Sequence, residues 1–119
     1  MANTFKVITK AGVTSADVIY TVAGSTTTVV LGIMIGNTQS SDITATLTLT
    51  SDTSSRAGAN NEDNQTVELL TSTTIPANST LEMMGGNKLV METTDTLSLT
   101  ASAAADISVS IMEITKCRI

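Results

Sequence analysis

The sequence predicts an all-β protein: an antiparallel two-sheet β-sandwich of about eight strands, wound either as an Ig-like or as a jelly-roll domain. Three observations predict it. Apolar and polar residues alternate with period two in several segments. Roughly three residues in ten are serine or threonine, which suit sheet surfaces and turns better than helices. Helical periodicity is absent. A chain of 119 residues is one domain's worth, with residues 1–115 forming the sandwich and residues 116–119 a C-terminal tail.

Taken in order, strands are expected at Phe5–Lys10 and Asp17–Val22. The run Val29-Val30-Leu31-Gly32-Ile33-Met34-Ile35 is apolar at nearly every position. Both of its faces should therefore be covered, in the middle of a sandwich or under a neighbouring subunit. Gly32 inside it suggests a bulge or a close backbone approach. Ile43–Thr50 puts four apolar side chains on one face and four threonines on the other, the pattern of a half-buried antiparallel strand. Strands at Thr66–Thr73, Thr80–Met84 and Lys88–Glu92 follow, the last two flanking Gly85-Gly86-Asn87 and so reading as a hairpin. Pro76 opens a corner between strands, where its missing N–H does no harm. Leu97–Ala101 and Ile107–Ile111 alternate again. The alanine-rich segment 101–106 between them is too short for a helix and reads as a connecting loop.

With two aromatic rings, Phe5 and Tyr20, the core must be aliphatic, and the six methionines read chiefly as adaptable core filler. The longest irregular stretch is 51–65, polar and containing Gly and Asn. Loops of that length are either mobile surface or functional. Its residues Arg56, Ala57, Gly58, Asn60 and Asn61, together with Met34 and the tail residue Arg118, are the candidate subunit contacts.

Chemistry is scarce. The chain has no histidine, which removes the commonest general base and zinc ligand and every triad built on imidazole. Its eleven carboxylates are dispersed. The cluster Asn60-Asn61-Glu62-Asp63-Asn64 lacks the spacing of a calcium loop. Gly85-Gly86-Asn87-Lys88 lacks the helix that a phosphate loop needs. No enzyme, cofactor or metal is expected. A net charge of −5 with scattered basic residues argues against nucleic acid. The N-terminal segment has no uninterrupted apolar core of a secretory signal, and no apolar run is long enough for a membrane helix, so a soluble, cytoplasmically made protein is expected. The lone Cys117 forms no intrachain disulfide.

Four segments carry a resemblance: Tyr20–Ile33, Ile75-Pro76-Ala77-Asn78-Ser79-Thr80-Leu81-Glu82, Asn87–Glu92 and the closing Ser110–Thr115. Together they resemble small virion structural proteins of tailed bacteriophages, of the kind frequent in marine and cyanobacterial phages. The resemblance implies an Ig-like or jelly-roll module that multimerises on the particle, with no catalytic residues. Its partners would be other copies of itself and the major capsid protein or other virion proteins, with neither nucleic acid nor membrane. The implied location is the virion, assembled in the host cytoplasm. A capsid decoration protein is the first expectation, and a neck, tail or fibre-base component the second. A non-viral adhesion module is the third.

Overall fold

A computed structural model describes residues 2–51, 65–83 and 88–115. Nine strands are found among them: β1 (Ala2–Val13), β2 (Asp17–Thr21), β3 (Thr26–Asn37), β4 (Ile43–Thr50), β5 (Thr66–Ile75), β6 (Thr80–Met83), β7 (Leu89–Met91), β8 (Thr96–Ala101) and β9 (Ala105–Thr115). Sheet A runs β1-β9-β3-β6, with β7 also on β3, and sheet B runs β2-β8-β4-β5. All pairings are antiparallel. The all-β two-sheet sandwich is as the alternation predicts.

The order of strands also separates the two windings. β4 pairs with β5, β3 with β6 and β7, β2 with β8, and β1 with β9. These are the nested pairs of one long two-stranded ribbon. Rolling the ribbon up adds β9 to β3 and β8 to β4, which is the jelly-roll arrangement.

The core lies between the sheets and is aliphatic. Val30, Ile33, Ile35, Val109 and Ile111 from sheet A meet Ala45, Leu47, Leu97 and Leu99 from sheet B, all fully or almost fully buried. Met91 is buried and Met83 packs against the same cluster, as filler should. β4 keeps its bounds from the sequence because strict alternation is the least ambiguous strand signal. The segment after β8 is a bend with no helical turn.

Two local expectations change. β6 and β7 do not pair with each other. Both lie antiparallel on the same edge of β3, β6 on Ile33–Gly36 and β7 on Thr28–Val30. The Gly-Gly-Asn tripeptide lies outside the described residues, but its flanking strands form one interrupted edge rather than a hairpin. β3 is twelve residues long, which gives both short strands a template to pair with. Gly32 does sit at a bulge, where the β3–β9 register shifts between Val30 and Gly32. No backbone approaches it, however: a Cβ there would meet nothing within 4 Å.

Candidate interaction surface

The two outer faces of the sandwich differ. On sheet B, Thr46 and Thr48 of β4 stand opposite Thr100 and Ser98 of β8, and Thr50 stands between Thr96 and Thr66. That face is hydroxyl-rich, with Val18 and its 52% exposure an isolated apolar residue beside Ser98.

Sheet A presents the opposite character. In register, Phe5 of β1 faces Met112 of β9, Met112 faces Val29 of β3, and Val29 faces Val90 of β7. This is a continuous apolar row across four strands. Its ends are open, Phe5 at 71% and Val90 at 58% exposure, while Val29 and Met112 are half-buried by their neighbours. The flanking row, Val7–Ser110–Gly32, drops to small residues at its centre. The next row carries Met34, 46% exposed, between Ser108 and Glu82.

Met34 therefore stands as a knob between two hollows of about 380 and 350 Å³. Thr9, Gly36 and Thr80 line the first, and Leu31, Gly32 and Ser110 the second. At about 5 Å per strand and 3.3 Å per residue, the ridge and trough cover on the order of 400 Å², the size at which exposed apolar patches are commonly functional. The apolar run of β3 is thus only half explained by the core. Its inner residues are buried, and the outer ones form a face that no described segment covers.

One end of the sandwich is closed by a polar cluster. Tyr20 on β2 points between the sheets, where its hydroxyl donates to Oε2 of Glu113 on β9. The Thr28 hydroxyl lies 2.7 Å from the same phenol oxygen, and Lys6 on β1 sets its ammonium 2.8 Å from Oε1 of Glu113. Burial, reinforced by the Glu113 carboxylate, pushes the Tyr20 hydroxyl up from 10.0 to about 12. Lys6 foremost, and then Tyr20, hold the Glu113 carboxyl below its ordinary value. Further along β1, Lys10 pairs with Asp17 of β2 at 3.0 Å. The cluster ties β1, β9, β3 and β2 together.

The opposite end is closed by Asn37, the last residue of β3 and only 3% exposed. Its amide nitrogen lies 2.9–3.0 Å from the carbonyl oxygens of Ser41, Ile75 and Pro76, and its Oδ1 accepts from the Gln39 N–H at 2.8 Å. One side chain so joins the β3–β4 connection to the β5–β6 corner.

Of the sequence-derived contact residues, Met34 lies on the bare face of sheet A. Arg56, Ala57, Gly58, Asn60, Asn61 and Arg118 lie outside the described residues. The apolar row was missed because its four members come from four separate strands. Phe5, Val29, Val90 and Met112 are far apart in sequence and line up only once the register is known. Among the described residues, no three Cys, Asp or Glu side chains gather to hold a metal ion, and no helix is long and apolar enough to cross a membrane.

No protein-family model matches the chain, and neither does any curated protein. Among solved structures, it is similar to a chain from Bacillus endospore appendages, described as a novel family of disulfide-linked pili. The two are 14% identical over 98% of this chain and 88% of the other, with a TM-score of 0.48, a distance at which no function is carried across.

Proposed function

We propose that this chain is a non-enzymatic structural subunit of a tailed-phage virion, a capsid decoration protein that seats the outer face of sheet A on the shell. The observation that carries the reading is the Phe5–Met112–Val29–Val90 row: an apolar ridge beside a trough of small residues, with no segment among those described covering it. Burying such a ridge against a capsomer would stabilise the contact by roughly 25 cal/mol for each Å² of apolar surface removed from water. A low charge density, 14% of residues, keeps the repulsion between closely packed copies small. The resemblance of the Ile75–Glu82 and Ser110–Thr115 segments to small phage virion proteins supplies the setting. The partners are copies of itself and the major capsid protein, and the location is the virion.

The test is fractionation of particles that carry the chain. Stepwise denaturation should release it with, or just before, the shell, at hundreds of copies per particle. Retention on isolated tails at a low multiple of a closed ring would instead place it in the neck, tail or fibre base. Absence from any particle would sink the virion reading altogether.

A further inference from the structure

We infer that β1 is a pairing edge, and that a second copy of this chain adds its own β1 antiparallel across a twofold axis centred on Phe5. The inference goes beyond the virion reading and does not depend on it.

The described strands leave four sheet edges. Exposed edges invite pairing, and proteins blunt them by keeping them short or bulged. Three edges here are blunted. β2 has five residues and a register shift at Val18/Tyr20. β6 and β7 have four and three residues. β5 carries two register shifts against β4 and a left-handed residue, Ser72, at φ 43°.

β1 has none of these devices over its first part. Its register with β9 is unbroken from Ala2 to Lys10, and no described strand pairs with its other edge. Its two lysines, the residues that would ordinarily deter a neighbour, are already neutralised within the chain, Lys6 by Glu113 and Lys10 by Asp17.

The partner strand must be comparably long and straight. Among the described edge strands only another β1 is, which makes the contact isologous. Directly opposed residues share a face in an antiparallel pair, which limits the choice of register. Centring on Lys6 sets Lys6 against Lys6, and like charges directly opposed are destabilising. Centring on Val7 engages Lys10, which is committed to the corner with β2. Centring on Phe5 opposes Phe5 to Phe5, Val7 to Asn3 and Lys6 to Thr4. It also joins the two apolar rows end to end, from the Val90 of one copy to the Val90 of the other. The two outer faces lie on one side of the widened sheet, and the ridge doubles in length.

Sedimentation of the full chain tests this. A monomer–dimer equilibrium is expected, weakened at least tenfold by Phe5→Lys, with the melting temperature of the monomer unchanged because Phe5 is exposed. In a Cys117→Ser background, Phe5→Cys should form an interchain disulfide under mild oxidation. Val7→Cys should not, because the paired copy's residue 7 lies four positions along the strand, about 13 Å away. A chain that stays monomeric to millimolar concentration overturns the proposal. So does an open ladder of higher species, or cross-linking through Val7→Cys in place of Phe5→Cys. None of these outcomes bears on whether the chain is found on a particle.

Discussion

Tyr20 and Glu113 stand 93 positions apart, and the phenol of the first donates to the carboxylate of the second from the opposite sheet. With Lys6 on the far side of that carboxylate, the three side chains lock the edge strand β1 to both layers of the sandwich. The lock is electrostatic and therefore sensitive to pH.

Acid should open it first. The folded state holds the Glu113 carboxyl below its ordinary 4.5, so the stabilisation is fully present above that value and is lost as pH falls through the folded one. The melting temperature of the chain should fall as pH is lowered from about 5 toward 3. In Glu113→Gln that component of the slope should be gone, the variant being less stable at neutral pH by about 1.5–3 kcal/mol. At the alkaline end the sign reverses. Tyr20 ionises near 12 when folded and near 10 when unfolded, so its contribution holds below pH 10 and fades above it. Tyr20→Phe should flatten that decline. An unchanged alkaline melting curve in Tyr20→Phe would contradict the assignment.

Asn37 offers a test by isosteric change. Its amide nitrogen faces three carbonyl oxygens. Asn37→Asp keeps the shape and replaces the donor with a charged acceptor aimed at other acceptors, in a site with almost no water. Denaturant unfolding should show a loss of at least 3 kcal/mol, larger than the roughly 1–3 kcal/mol expected of Asn37→Ala, which only leaves the partners unsatisfied. If the aspartate is the milder substitution, the amide is not the donor described.

Glycines at two bulges should behave differently. Gly12 has φ +68° and gives its N–H to Oδ1 of Asp106 at 3.0 Å. Gly12→Ala meets no steric contact but forces an L-residue into the left-handed region, costing roughly 1–2 kcal/mol. Gly32 lies outside the left-handed region and has free space around it. Gly32→Ala should be neutral or stabilising by up to about 1 kcal/mol. Thermal denaturation of the two variants side by side decides it.

The bare face of sheet A predicts a separation of binding from stability. Met34→Glu and Val90→Glu change exposed side chains, so unfolding should move by no more than about 0.5 kcal/mol. Attachment to depleted particles, measured by co-sedimentation, should fall by an order of magnitude or more. Equal losses in both assays would mean the face is supporting the fold.

Much of the fold was legible because sheet signals are local. Ile43–Thr50 alternates without interruption, and the structure returns the same eight residues as β4. The hairpin expected around Gly85–Asn87 failed for a reason that is also local. A glycine-rich break reads the same whether its flanking strands pair with each other or follow one another along a third, and the length of β3 allows the second. Lys6 read as one of six scattered basic residues, and only its register against Glu113 and the inward turn of Tyr20 give it a role. The doubly apolar β3 signalled more than one packed face, and among the described residues only its inner side is buried in the core.

The nested ribbon has a consequence for how the protein is made. β1 is synthesised before the other described strands, while its described partner, β9, is the last of them. At ordinary elongation rates the intervening residues take roughly 5–20 s. For that interval Phe5 and Val7 sit on a strand whose described partner has not yet been made. On a polysome carrying many copies, the nearest candidates are the same strands of neighbouring nascent chains.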